Sequence, residues 1–322
     1  MAPSGISMGV AAGIGIGSGA AFCIAIGLAA FYFFRKRIRL PPVVTDLPSV
    51  TDLPVPLFTG SPHSLHSFLL DGSRGSDFTR EIRSLGVLIE QHVKSRYHLD
   101  AVEDISHLLN GYLELMCLSE HLRSRITELA MDPSTRHLAI RHLLVHMIFE
   151  NLDIHSVGPF SLLPPIVVKF ITSIPKYDTY DTDTRVATAF MYWRRITAFL
   201  MQKHELRRFR YSLTPPSTIE PQIEILITYL NMFLDHFAVT DAPEKSNDLE
   251  TVIRECVKLG YTVFSHACEW RFTFAKKYYF AREGIAVLPG LQMLNDPSGN
   301  PCDLEEDEGA LPTVVFLDEI GK

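Results

Sequence analysis

The sequence predicts an all-α protein in which a single N-terminal transmembrane helix precedes a soluble bundle of about seven or eight helices. Three observations predict this fold class. Residues 8–34 form an uncharged run of 27 residues, and apolar residues between 77 and 283 recur at helical spacing. Glycine, which weakens helices, is scarce within that second region, where the only four are Gly86, Gly111, Gly158 and Gly260.

Residues 8–34 have the length and composition of a membrane-spanning helix. A hydrocarbon core about 30 Å thick needs about 20 helical residues, and no charged side chain occurs before Arg35. The basic residues that follow the run are Arg35, Lys36, Arg37 and Arg39. By the positive-inside bias they place residues 1–7 outside or in a lumen and residues 35–322 in the cytosol. A cleaved signal peptide or a mitochondrial presequence is the rival interpretation, but the run lacks a basic n-region and is neutral.

Two observations agree with a cytosolic domain. No asparagine has Ser or Thr two residues later, so the chain contains no glycosylation sequon. The five cysteines are few and odd in number for this length and form no CxxC pair. Free thiols in a reducing compartment are therefore the interpretation that we prefer.

Glycines recur every four residues within the predicted span, at Gly9, Gly13 and Gly17. Small residues at this spacing let two membrane helices approach closely, which predicts a homodimer through the transmembrane helix. The alternative is that glycine and alanine are common in membrane spans for reasons unrelated to dimers.

The next segment, residues 35–76, combines the basic stop with a proline-rich linker. Proline removes backbone donors and favours extended conformations, and the hexad that begins at Val44 repeats with one change at Val50. We expect a tether between the membrane and the domain. The repeated Thr-Asp-Leu-Pro is either a spacer or a short docking motif.

The cytosolic domain is expected to occupy residues 77–284. Apolar periodicity and capping residues, such as Asp132 before Pro133 and Asp100 before Glu103, predict eight helices. Their expected ranges are 77–97, 100–110, 112–131, 133–153, 164–173, 183–210, 218–238 and 247–279. A buried strand is the alternative for the β-branched run near Ile166. Residues 285–322 are expected to form an acidic, loop-rich tail in which 313–317 adds a short edge strand, docks on the bundle or stays without structure.

Charge argues against nucleic acid as a partner. The first 39 residues hold four basic and no acidic side chains, so residues 40–322 hold 26 basic and 37 acidic ones, a net charge of −11. Phosphate binding needs a basic surface instead. A local basic group on the predicted helix 183–210 is either a solvated face or a surface that meets anionic lipid: Arg194, Arg195, Lys203, Arg207, Arg208 and Arg210.

The best candidate for an enzymatic site lies on the predicted helix 133–153. His142, His146 and Glu150 share one stripe with Asp153, and imidazole and carboxylate groups at that spacing can bind one metal ion. However, a leucine stands where the HExxH signature has glutamate, and the chain contains no Glu-x-x-His pair of the di-iron type. A polar seam between helices is the alternative that we prefer.

These observations favour a non-enzymatic, membrane-anchored module that presents a helical interaction domain to a cytosolic protein partner. The letters of G-x-S-x-G at residues 5–9 and of G-x-G-x-x-A at residues 15–20 lie in or beside the predicted membrane helix, without the strand and turn that these motifs need. No Walker loop or kinase signature is present, and a catalytic triad assembled from residues distant in sequence stays an open alternative. The alternative is a membrane-tethered enzyme with a metal or polar site at His142, His146 and Glu150. The lipid bilayer is the one partner that the sequence predicts directly, although it does not indicate which membrane.

Overall fold

The structure is a computed structural model that describes residues 75–174, 184–202, 215–239, 245–274, 284–296, 300, 302 and 310–316. Residues 62–322 form one compact unit, and residues 1–61, a second unit, lie outside the described residues. The described part is mostly helical with a few short strands, which confirms the helical character of the predicted domain.

Eight α-helices account for most of the described residues: α1 (Gly75–Arg96), α2 (Ser106–Leu115), α3 (Glu120–Met131), α4 (Arg136–Glu150), α5 (Pro165–Ser173), α6 (Thr184–Met201), α7 (Glu220–Leu234) and α8 (Lys245–Ser265). Two single 3₁₀ turns, Ser217–Ile219 and Asp235–Phe237, flank α7. The run near Ile166 is helical, so the alternative of a buried strand there was wrong.

The predicted membrane span, residues 8–34, lies outside the described residues, as does the linker up to residue 74. Among the helices that the structure does describe, none combines the length and the apolar composition that crossing a membrane requires.

Helix α2 ends at a different place from the one predicted. The sequence prediction broke the helix at Gly111, but Gly111 lies inside α2 and the break falls at Cys117, whose φ is 62°. The N–H of Cys117 donates to Glu114 O at 2.9 Å and that of Leu118 to Leu113 O at 3.3 Å. This pair of bonds is the Schellman motif, which satisfies the last carbonyls of a helix through one left-handed residue.

The starts of α2 and α4 were also predicted too early. Neither Asp100 nor Pro133 begins a helix, because α2 starts at Ser106 and α4 at Arg136. Asp132 instead closes a turn, in which its carboxylate accepts the N–H of Ser134 at 2.8 Å. A short polar side chain can form such a local turn as readily as it caps a helix, so the sequence signal is ambiguous.

Four short strands follow α8: β1 (Glu269–Thr273), β2 (Gly284–Leu288), β3 (Gly290–Asn295) and β4 (Thr313–Phe316). They form two antiparallel pairs, β1 with β3 and β2 with β4. The helix predicted for 247–279 therefore ends at Ser265. The predicted loop-rich tail begins with two strands, in which Ile285 and Leu291 are buried in the core. Trp270 and Phe272 occupy buried, inward positions of β1.

The hydrophobic core is built around α4. Ten of its 15 residues are buried, which makes it the central helix, and α1, α3, α8 and β2 all pack against it. Because α4 is enclosed, two of its polar side chains, Arg136 and His142, are buried and bond to backbone carbonyls. This position decides what the histidines of α4 contact.

Candidate functional site

A cleft of about 500 Å³ opens between the start of α7 and the middle of α8. Its apolar walls come from Ile219, Ile223 and Val257, whose side chains are otherwise part of the core. Pro215 and Pro216 form one rim at the entrance to α7. This volume lies within the range of small-molecule pockets and suits an apolar group of similar size.

Charged side chains line the other rim of the cleft. The guanidinium of Arg254 pairs with the carboxylates of Glu220 and Glu250, and the ammonium of Lys258 lies 2.6 Å from Glu255. The hydrogen bonds that Arg254 donates to the two carboxylates raise its pKa above the usual value, so its guanidinium stays charged. The described lining includes the hydroxyls of Ser217 and Thr262, and it contains no histidine or cysteine. The cleft can therefore bind a group, and the one carboxylate in its described lining, that of Glu220, is already paired with Arg254.

His142 and His146 lie side by side on α4, with ring centroids 6.2 Å apart. Nδ1 of His142 lies 2.7 Å from the carbonyl oxygen of Ala286 in β2, so this nitrogen carries the proton and donates. The ring of His146 packs against Phe274 with centroids 4.7 Å apart. Burial lowers the pKa of both imidazoles to about 4, so both are neutral at pH 7.

Glu150 and Asp153 do not join the two histidines. Glu150 accepts a hydrogen bond from the hydroxyl of Ser156. Asp153 accepts the backbone N–H of His155 at 2.8 Å and that of Phe272 at 2.9 Å. Within the described ranges no three His, Cys, Asp or Glu side chains converge as a metal site would require. Among the described residues, His142 therefore links α4 to β2, and Asp153, just after α4, links the end of the helix to β1.

A second polar cluster joins the loop after α4 to the first strand pair. Nε2 of His155 lies 3.0 Å from Glu269 Oε1, and Asn295 Nδ2 donates to Glu269 Oε2 at 2.6 Å. Burial opposes ionisation of Glu269, yet His155, Arg194 and Asn295 together hold its pKa below the usual value. Burial raises the pKa of Asp153. The adjoining cavity, which Asp153 and Arg194 help to line, has room for about 10 Å³, which is at most one water.

Of the predicted basic group, the structure describes only Arg194 and Arg195, and both are buried. Arg194 is 1% exposed and Arg195 5% exposed, so the prediction of a solvated or lipid-facing surface was wrong for these two residues. Arg194 donates to Phe264 O at 2.5 Å, His266 O at 2.7 Å and Cys268 O at 3.0 Å. It thereby satisfies carbonyls at and just beyond the end of α8. A fixed cation is favoured there because the helix dipole is negative at its C-terminal end.

The other predicted site residues lie outside the described residues. They are the membrane dimer face, Gly9, Gly13 and Gly17, and the lipid-facing basic residues Arg35, Lys36, Arg37, Arg39, Arg207, Arg208 and Arg210. They remain sequence-based predictions.

Comparison with protein-family models, with curated proteins and with solved structures finds no match to this chain. Its function is therefore argued from its own residues.

Sequence reasoning missed the cleft and the buried arginines. The cleft had a local signal, the double proline that precedes Ser217 and opens a helix. Arg194 also had one, since Met191 and Ala198 bracket it at i−3 and i+4 on the same buried face. The cluster around Glu269 had none, because its members are distant in sequence.

Proposed function

We propose that the chain is a single-pass membrane-anchored protein whose helical domain binds a cytosolic protein partner. The observation that carries the proposal is the uncharged run 8–34, followed at once by four basic residues. A run of this length satisfies its backbone within one helix, and the basic residues set its orientation. The anchored homodimer through Gly9, Gly13 and Gly17 belongs to the same proposal.

The cleft between α7 and α8 supports the choice of a binding role. It has apolar walls and a rim at which Arg254 pairs with Glu220. We infer that it receives several apolar side chains from an extended segment of the partner, with Arg254 and Lys258 fixing polar groups at the rim. Such an arrangement gives an interface its buried anchor and its polar border.

Protease protection in sealed membranes tests the orientation. A tag placed after Lys322 should be digested without detergent, while the chain stays in the pellet after alkaline carbonate extraction. Replacement of Arg35, Lys36, Arg37 and Arg39 by serine should leave part of the tagged chains protected, because the orientation bias is then lost. Protection of the native chain places the domain in a lumen and overturns the cytosolic assignment, and release by carbonate overturns the anchor.

The same membranes test the cleft. A photo-crosslinking residue at Ser217, in the cleft, should form an adduct with a protein partner, whereas one at Val87 on α1 should not. Equal labelling from both positions contradicts a role for the cleft.

The alternative of a metal enzyme gains no observation in its favour. His142 donates to a β2 carbonyl and Glu150 is engaged by Ser156, so the two groups face different partners. A binding role is therefore the function that the described geometry favours.

A further inference from the structure

Helix α5 carries an unusual outward face. Five of its nine side chains are large and apolar, yet Val167 is the only one that is fully buried. Ile166 is 67% exposed and Phe170 is 40% exposed. With Lys169 and Ser173 they form a stripe at i, i+3, i+4 and i+7 that faces solvent. A surface helix normally places polar side chains on that face.

The apolar surface continues onto α6. The ring of Phe170 stacks on Trp193 with centroids 4.2 Å apart and planes at 19°, and Phe190 lies 5.3 Å from Trp193. Neither α5 nor α6 contains a single Asp or Glu, although the chain as a whole is acidic. We call the surface formed by Ile166, Lys169, Phe170 and Trp193 the α5 patch.

The α5 patch is held in place by its neighbours. The side chain of Gln222 on α7 donates to Ser161 O at 2.5 Å and to Leu163 O at 3.2 Å, just before α5 begins. Pro165 at the first helical position fixes the backbone angle there. The outward direction of Ile166 and Phe170 is thus set by the fold and is not a consequence of a loose helix.

We propose that the α5 patch docks on the surface of the bilayer, with α5 lying parallel to the membrane plane. This inference rests on the proposed anchor, because the anchor keeps the domain near lipid. Residues 35–74 comprise 40 residues, and a chain of that length reaches at most about 130 Å. Every part of the domain can therefore meet the bilayer, and tethering makes even weak docking effective.

The chemistry of the patch suits lipid better than a protein. A stable protein interface buries about 800 Å² on each partner, far more than two exposed side chains and a half-buried ring provide. An interfacial helix instead inserts apolar and aromatic side chains about 5–10 Å into the headgroup boundary. Tryptophan favours that boundary, and Lys169 can extend its ammonium toward water. Asp178, Asp181 and Asp183 follow α5 in residues outside the described ones, so we expect docking to depend on apolar insertion and not on anionic lipid.

Tryptophan fluorescence tests the proposal on the full-length chain. The protein contains two tryptophans, Trp193 in the patch and Trp270, which is 5% exposed in the core. The chain is reconstituted in phosphatidylcholine vesicles with or without brominated acyl chains. Insertion to the headgroup boundary should let bromine quench Trp193 roughly twofold and leave Trp270 nearly unchanged. In W270F, Trp193 is the only tryptophan, so its quenching is measured directly. If W270F fails to fold, the fluorescence of Trp193 is obtained by subtracting that of W193F from that of the native chain.

A matched pair of variants identifies the surface responsible. I166E places a carboxylate in the patch and should abolish the quenching of Trp193, since a charge resists insertion. V87E makes the same change at an exposed apolar residue of α1 and should leave the quenching intact. If I166E has no effect, or if V87E has the same effect, the proposal is overturned.

The remaining outcomes are also decisive. If carbonate releases the chain from membranes, the proposed function itself fails. If the chain stays in the membrane but Trp193 remains bright, only the docking inference fails. If Trp193 remains bright while I166E reduces chemical crosslinking between copies, the patch joins two copies of the chain and the bilayer is not its partner.

Discussion

Arg136 and Arg194 are fully buried, and both donate mainly to backbone carbonyls. Nε of Arg136 donates to Ala130 O at 2.8 Å, near the end of α3, and its Nη1 donates to both His98 O and Asp100 O. Burial lowers the pKa of Arg194 to about 10, so it still carries its charge at pH 7. Each guanidinium thus satisfies a set of carbonyls that water would otherwise need to reach.

Replacement of Arg136 by methionine should destabilise the fold strongly. The variant leaves the carbonyls of His98, Ala130 and Asp100 without their donor, and we expect a loss of about 3 kcal/mol or more in the free energy of unfolding. Urea denaturation of the full chain in detergent micelles, followed by circular dichroism, measures this loss. R80M is the control, because Arg80 forms only an exposed pair with Asp77 and should cost less than about 1 kcal/mol. Similar losses for both variants contradict the structural role of Arg136.

Two glycines in helices, Gly260 and Gly111, have different packing environments. Gly260 on α8 faces Leu152, and a Cβ at Gly260 would lie 2.5 Å from Leu152 Cδ2 and 2.9 Å from Cγ. Gly111 on α2 has nothing within 4 Å of a Cβ. Glycine therefore permits close packing at position 260 of α8, whereas at position 111 of α2 it only lowers helix propensity.

Alanine at these two glycines should change stability in opposite directions. G111A should stabilise the protein by about 1 kcal/mol through helix propensity. G260A should destabilise it by about 1–3 kcal/mol, because overpacking against Leu152 outweighs the same propensity gain. Thermal denaturation of both variants and of the native chain shows whether each substitution raises or lowers the melting temperature. An increase in the melting temperature for G260A would show that α8 and Leu152 can separate without cost.

At the scale of the whole molecule, three histidines that lie on different helices or at different depths are kept neutral by burial: His92, His142 and His146. Burial lowers the pKa of His92, His142 and His146 from 6.5 to about 4. Between these pH values the unfolded chain binds protons that the folded chain does not. Stability is therefore fully present above about pH 6.5 and falls as the pH decreases toward 4.

Acidification should weaken the fold by up to about 1.4 kcal/mol per pH unit for each of these histidines. The measurement is the urea midpoint of the full chain from pH 7.5 to 5. H92Q keeps a partner for the hydroxyl of Tyr97 and should reduce the slope by about a third, since one of three contributions is removed. H121Q, on the exposed face of α3, is the control and should leave the slope unchanged. An unaltered slope in H92Q excludes His92 as a source of the pH dependence.

The sequence alone predicted the helical class, which the structure confirms, and came close to the bounds of most helices, while the anchor at residues 8–34 stays a prediction. Periodic apolar positions and the absence of charge are local properties, so they can be recognised without a structure. It could not decide where α2 ends, because the Schellman turn uses Cys117 and not Gly111, which lies six residues earlier. It also did not predict β1–β3, since a strand pair depends on a partner distant in sequence.

Tertiary structure alone decided what the polar residues do. The pattern of α4 allowed a metal site, but packing against β2 turned His142 toward a backbone carbonyl. Arg194 belonged to a basic group in the sequence, and the end of α8 enclosed it. The cleft and the α5 patch likewise exist only where helices meet or fail to cover one another. The physical reason is that burial and hydrogen-bond partners belong to the assembled chain, whereas periodicity belongs to each segment.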